Sequence, residues 1–147
     1  MSENSIQKKF EKIYELYHPM VYGISCQVSE DDKQANEIFI KTFEKIHEQL
    51  RNNLKFVSPP IVIMKLAIRA AHEVIIPSNR EVSLKLKQFE NSPLLENLIC
   101  TETALDTYCT ENKISEEIVA KKIRAELMTL RYLKAKKNSS LFKFFVF

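Results

Sequence analysis

Basic side chains are concentrated near the carboxyl end of the chain. Between positions 121 and 137 there are seven lysines and arginines, with Glu126 as the single acidic residue among them. Clustered ammonium and guanidinium groups of this kind neutralise phosphate in nucleic-acid contacts. They are also typical of a solvated helix face with cations near its carboxyl end. The charges alone do not distinguish a nucleic-acid contact from a solvated face. The seven are Lys121, Lys122, Arg124, Arg131, Lys134, Lys136 and Lys137, of which the last three are assigned to nonspecific attraction or to solubility.

The histidines do not have the spacing of a metal site. His18, His47 and His72 fall one in each of three predicted helices, without a second ligand one turn away. Zinc needs about four closely placed ligands, which no Cys/His spacing here supplies. The chain also lacks a nucleophile elbow, a phosphate-binding loop and a paired-carboxylate motif. We therefore expect a protein that is not an enzyme and requires no metal or cofactor.

The cysteines and the composition indicate a helical protein of a reducing compartment. Cys26, Cys100 and Cys109 form no C-x-x-C pair, and an odd number cannot close into disulfides. With one glycine, Gly23, the chain has few residues suited to tight hairpin turns. It shows no signal peptide and no stretch approaching the roughly 20 apolar residues of a membrane span. These features predict an all-α, cytoplasmic protein.

Three helices are predicted over the first half of the chain. Apolar residues from Phe10 to Ile24 recur at steps of three and four, which indicates one amphipathic helix. Ser29, followed three residues later by Asp32, predicts the start of a second. Pro59-Pro60 begins a third, which is apolar on most sides and should be central to a bundle. We assign these helices to a domain over residues 1–76, and residues 77–82 to a linker.

The second half is predicted to contain shorter helices and one long one. Leu84, Leu86 and Phe89 suggest a short helix, and the stretch 91–93 breaks it. Two further short helices follow at 94–99 and 105–112, and the corner after the latter falls at residues 112–113. Ser115 should cap a helix that extends to about residue 136. The domain covers residues 83–137, with a separate aromatic tail over 138–147 that contains Phe142, Phe144, Phe145 and Phe147.

Two segments resemble the extracytoplasmic-function group of the sigma-70 family of RNA polymerase sigma factors. FEKIYELYHPMVYG at 10–23 and DDKQANEIFIKTFEKI at 31–46 are similar to the family's second conserved region, where Ala35, Glu37 and Phe43 match the pattern. In IVIMKLAIRAAHEVI, which aligns with the promoter-melting helix, Ile63 and Leu66 match. The resemblance implies a three-helix domain that docks on core RNA polymerase and helps to separate promoter strands.

The second segment, LDTYCTENKISEEIVAKKIRAELMTLRYLK at 105–134, resembles the family's helix-turn-helix. Ile114-Ser115, Val119 and Ile123 match the pattern. In the family, the helix that begins at the position of Ser115 enters the major groove of promoter DNA. The resemblance thus implies two sets of contacts. For polymerase these are Glu37, Ile40, Lys41 and Phe43, and for DNA they are Arg69, His72, Ser115, Lys121, Lys122 and Arg124.

Several positions depart from the family pattern and keep two other functions open. Ile40 and Lys41 replace a glutamine and an acid, which removes or repels polymerase contacts. Arg69 replaces an asparagine of the melting helix, and the chain contains no tryptophan. One alternative is therefore a helix-turn-helix regulator that has lost polymerase binding. The other is a helical protein-interaction module held by an inhibitory partner of the anti-sigma type, which the aromatic tail favours. For the tail itself we expect packing over the core of the second domain, with dimerisation as a further interpretation.

Overall fold

The chain is all-α, as predicted. The computed structural model describes the backbone of residues 3–52, 59–78, 87–101 and 104–146, and the side chains of residues 3–52, 59–76, 88–101 and 104–136. Over these residues it consists of α-helices and one short 3₁₀ turn, without β-strands. The helices are α1 Glu3–Val28, α2 Asp32–Arg51, α3 Pro59–Ser78, α4 Pro93–Cys100, α5 Leu105–Asn112 and α6 Glu116–Val146.

The cap of α2 differs from the prediction. Asp31, and not Ser29, is the N-cap, and its carboxylate accepts a 2.8 Å hydrogen bond from the Gln34 backbone N–H. The Gln34 side chain in turn accepts a 2.7 Å bond from the backbone N–H of Glu30. Ser29 instead donates its hydroxyl back to the carbonyl of Cys26, at the end of α1. The side chains of Asp31 and Gln34 thus each accept from a backbone N–H at the start of α2, those of Gln34 and Glu30 respectively.

The helix α3 lies at the centre of the packing, as its apolar composition predicts. It contacts α1, α2, α4 and α6. Ala67, Ala70 and Ala71 are completely buried, and their small side chains let neighbouring helices approach closely. One hydrophobic cluster joins α1, α2 and the start of α3. A larger one runs from Ile24 to Leu130 and so contains residues from both halves of the chain.

The second half begins with a 3₁₀ turn at Lys87–Phe89, in which Phe89 is fully buried. The predicted break before Pro93 is observed, since α4 starts there. Leu84 and Leu86, and most of the predicted linker, lie outside the described residues. Buried leucines and isoleucines of α4 face the larger cluster, together with Leu105 and Cys109 of α5.

The last helix is longer than expected. We predict an end near residue 136, but the backbone of α6 continues to Val146, through the segment assigned to a separate tail. Neither glycine nor proline occurs between Glu116 and Val146, so the sequence contains no residue that would stop the helix. The side chains of the tail's phenylalanines lie outside the described residues.

Candidate nucleic-acid interface

A three-residue turn joins α5 to α6. Lys113, at the end of α5, has a left-handed backbone with φ of 53°, and its N–H bonds to the last carbonyls of α5. Ser115 is the N-cap of α6, as predicted, because its hydroxyl accepts a 3.3 Å hydrogen bond from the Ile118 N–H. A short turn of this kind, with one left-handed residue, lets two helices meet at a steep angle.

The buried side of the corner fixes which side of α6 faces outward. Cys109 of α5 and Val119 and Ile123 of α6 are buried in the larger cluster, with Ile114 half-buried beside them. Val119, Ile123 and Leu130 define one stripe of α6 that packs against the rest of the molecule. Side chains of α6 that lie well away from this stripe are available to solvent.

The predicted DNA-binding lysines and arginine of α6 are exposed. Lys121, Lys122 and Arg124 all lie outside the buried stripe. None of the three forms an ion pair with any residue that the structure describes. Their charges are thus not neutralised within this part of the protein, and they are placed where a polyanion can reach them.

The lysine at position 134 has a different role from the one expected of it. We assign it from sequence to nonspecific attraction or solubility, but its Nζ donates hydrogen bonds to the carbonyls of Cys26 and Ser29, the latter at 3.0 Å. Gln88 donates a 2.7 Å bond to the neighbouring carbonyl of Val28. Together these side chains satisfy free carbonyls at the end of α1. Burial of the Lys134 ammonium lowers its pKa below 10.5.

The acidic residue within the basic run has a structural partner. Both carboxylate oxygens of Glu126 accept hydrogen bonds from the start of α4, at 3.0 Å from the Leu94 N–H and 2.8 Å from the Leu95 N–H. The amino ends of helices have free N–H groups and partial positive charge, so a carboxylate there is favourable. Glu126 therefore fixes α6 to α4.

An ion-pair network ties α3 to both helices of the corner. The Nζ of Lys65 lies 2.5 Å from the Asp106 carboxylate on α5 and 2.8 Å from the Glu116 carboxylate at the start of α6. Desolvation alone lowers the pKa of Lys65, but its hydrogen bonds to Asp106 and Glu116 outweigh this and raise the pKa above 10.5. The same bond to Lys65 lowers the pKa of Asp106 below 3.8.

The predicted polymerase-binding residues of α2 divide into three kinds. Glu37 and Ile40 are exposed, and 57% of the Ile40 surface is accessible. Lys41 is half-buried, with its Nζ 3.8 Å from the Glu73 carboxylate of α3. Phe43 is buried, at 7% exposure, and its ring centroid lies 5.0 Å from that of Phe39.

The two predicted DNA contacts of α3 lie beside α4. Arg69 is exposed and forms no ion pair within the described residues, whereas His72 is half-buried. The ring Nδ1 of His72 bonds to the backbone carbonyl of Ile99, near the end of α4. The structure thus places Arg69 and His72 on one face of α3, and it places Lys121, Lys122 and Arg124 together on α6.

Sequence reasoning missed the residues that hold these surfaces in place. Lys65, Glu126, Lys134 and Gln88 each bond to a group on another element. Lys65 did carry a signal, since a cation inside a predominantly apolar helix usually has a partner. Glu126 carried a similar signal, because it is the single acidic residue within the basic run. For Lys134 and Gln88 the sequence offered no sign.

Comparisons with known proteins identify no relative. No family model matches the chain, and no curated protein and no solved structure matches it. Over the described ranges, no group of three or more His, Cys, Asp or Glu side chains is placed to hold a metal ion. Among the helices of that same part of the chain, none has both the length and the apolar character to cross a membrane.

Proposed function

We propose that this chain is a transcription-initiation protein of the sigma type, which binds promoter DNA through α6 and core RNA polymerase through α2. The observation that carries the proposal is the α5–α6 corner. A left-handed turn at Lys113 leads into a helix capped by Ser115. Two lysines and an arginine then lie exposed in the first turns of that helix, at positions 121, 122 and 124. In helix-turn-helix proteins those turns of the second helix contact bases and phosphates.

The side chains of these turns suit different parts of a DNA contact. Lys121 and Lys122 carry point charges on flexible stems, which neutralise phosphate without reading sequence. Arg124 has a planar guanidinium that can bond to both O6 and N7 of a guanine. Glu117, also exposed at the start of α6, would repel phosphate and moderate the affinity.

The exposed side of α2 supplies the proposed polymerase contact. Glu37 and Ile40 lie away from the aromatic residues of α1 and α2 that pack together in the smaller cluster. Phe43 contributes to this surface only through packing, since its ring is buried against Phe39 and holds α2 in place. A carboxylate beside an exposed aliphatic side chain is a suitable rim and anchor for a protein interface.

A second candidate function is a DNA-binding regulator that does not bind polymerase. It is favoured by Lys41, whose ammonium lies beside Lys45 and is joined to Glu73 by a 3.8 Å ion pair, so that the side of α2 facing α3 is basic. A polymerase surface that is complementary to an acid at the position of Lys41 would not be complementary to this basic side of α2. Binding to core RNA polymerase distinguishes the two candidates.

Salt-dependent binding to duplex DNA tests the proposal for α6. The logarithm of the association constant should fall linearly with the logarithm of salt concentration, by about 0.9 for each phosphate contact. Replacing Lys121 and Lys122 together by glutamine should weaken binding and reduce the slope by up to about two. The matched control replaces Lys8 and Lys9, two adjacent exposed lysines of α1, and should leave the slope unchanged. Equal slopes for the two double variants would rule out α6 as the DNA contact.

A further inference from the structure

A cavity lies between α3 and the α4–α5 pair. Its volume is about 490 Å³, which is within the range of small-molecule sites. Its apolar wall includes Ile68, Leu98 and Leu105, each no more than 5% exposed. Polar and charged groups of α3 and α5 line the rest, among them Lys65 and Arg69. The cavity therefore combines an apolar wall with a charged rim, as ligand sites commonly do.

The charges around the cavity leave one group without a counter-charge. Lys65 is held between the carboxylates of Asp106 and Glu116. Glu73 is 2.7 Å from the ammonium of Lys45 and is thereby neutralised. Arg69 has no carboxylate within ion-pair distance among the described residues. Among the described residues that line the cavity, Arg69 is thus a cation without an ion pair.

The position of Arg69 on α3 directs that charge toward the cavity. Lys65, Arg69 and His72 follow one another at steps of four and three, so they share one face of the helix. All three line the cavity, and His72 is fixed there by its bond to the Ile99 carbonyl. Arg69 is the member of this row that carries a permanent charge and forms no ion pair with a described residue.

We propose that this cavity binds a small amphipathic monoanion, with its carboxylate on the Arg69 guanidinium and its apolar body against Ile68, Leu98 and Leu105. A single negative charge is specified because the described acidic residues of the lining, Glu73 and Asp106, are already paired with lysines and Arg69 offers one guanidinium to the ligand. An arginine binds a carboxylate through two parallel hydrogen bonds, which fixes the orientation of the ligand. The apolar wall then selects for an acyl chain or ring over a small hydrophilic acid.

Calorimetric titration with decanoate tests the site directly. Wild-type protein should bind one decanoate, and decyltrimethylammonium, which has the same chain and the opposite charge, should not bind. Arg69→Gln should weaken decanoate binding by about tenfold, since hydrogen bonds to charged groups contribute that much. Arg51→Gln, at an exposed arginine of α2 that does not line the cavity, should bind as tightly as wild type.

A second variant blocks the cavity without changing a charge. Ala104 is exposed at its margin, so Ala104→Trp places a large ring there with little effect on the core. It should abolish decanoate binding while the helical circular dichroism stays unchanged. Absence of binding by the wild-type protein would overturn the proposal, as would equal affinities for wild type, Arg69→Gln and Ala104→Trp. Neither outcome depends on whether the chain binds DNA.

Discussion

Two lysines on the last helix show how position determines the role of a side chain. Lys134 and Lys136 are two residues apart on α6, so they point in different directions. Lys134 is half-buried and donates to carbonyls at the end of α1, whereas Lys136 is exposed. The bonds from Lys134 are charge-assisted and join groups 108 and 105 residues apart in the chain. The basic run thus contains one cation that holds the fold and several that are free to meet a partner.

Replacing each of these lysines by methionine should separate the two roles. Lys134→Met keeps the apolar stem but removes the donor, and the carbonyls of Cys26 and Ser29 lose their partner. The free energy of unfolding should fall by about 1–3 kcal/mol. Lys136→Met should change it by less than about 0.5 kcal/mol, as surface substitutions usually do. Urea denaturation followed by circular dichroism measures both, and equal effects of the two variants would contradict the assigned role of Lys134.

The corner between α5 and α6 depends on a residue type that is unusual for its backbone. Lys113 has a positive φ of 53°, where a side chain is strained and glycine is not. Lys113→Gly should therefore raise the free energy of unfolding by about 0.5–1 kcal/mol. Lys122→Gly, within α6, should lower it by about 1 kcal/mol. Thermal denaturation compares the two, and destabilisation by both would show that the left-handed turn is not formed.

The ion pairs between α3 and the corner predict a dependence on pH. The pKa of Asp106 is lowered because Lys65 donates to it, so its stabilising effect is complete above its ordinary value of 3.8 and is lost as the pH falls through the lowered folded value. Asp106→Asn should be less stable than wild type at neutral pH. That difference should shrink as the pH falls from 3.8 through the lowered folded value, because the unfolded chain takes up a proton on Asp106 first and the folded protein does so only at the lower pH.

Urea denaturation of both proteins over a pH series measures this difference. The control is Glu111→Gln, an exposed acid at the end of α5 that forms no ion pair with the described residues. The free energy of unfolding of Glu111→Gln should stay close to that of wild type over the same pH range. A difference for Asp106→Asn that does not change with pH would show that Lys65 and Asp106 do not interact.

At the scale of elements, the sequence predicts most of the helices because their signals are local. Apolar spacing defines α1 and α2, Pro59-Pro60 begins α3, and Ser115 caps α6. The start of α2 was placed two residues early because the bonds that the side chains of Asp31 and Gln34 accept from backbone N–H groups depend on geometry and not on residue type alone. The predicted end of α6 was wrong because a change in composition at the tail is not a helix stop signal.

The polar contacts that position the candidate site could not be predicted from the sequence, because they join elements that are far apart in the chain. Glu126 bonds to residues 31 and 32 positions away, on α4. The periodicity of a helix shows which face is apolar, but not which other element a polar side chain on that face will meet. The exposure of Lys121, Lys122 and Arg124 follows from the buried stripe of α6, which the apolar spacing at Val119 and Ile123 does indicate.

At the scale of the whole molecule, the two halves of the chain share apolar packing. α3 contacts α1 and α2 on one side and α4 and α6 on another, and Lys65 joins it to α5. The larger hydrophobic cluster extends across these elements. The proposed polymerase contact on α2 and the proposed DNA contact on α6 are thus parts of one packed structure, and bonds between elements fix their placement.

Binding of the purified protein to core RNA polymerase tests the sigma-type function most directly. Fluorescence anisotropy should show binding by wild type and a loss of about tenfold or more for Glu37→Lys, because the substitution reverses an exposed charge at the proposed contact. Glu90→Lys, the same change at an exposed glutamate after the 3₁₀ turn, should bind like wild type. Failure of the folded wild-type protein to bind core polymerase, or equal losses for the two variants, would contradict the proposed function.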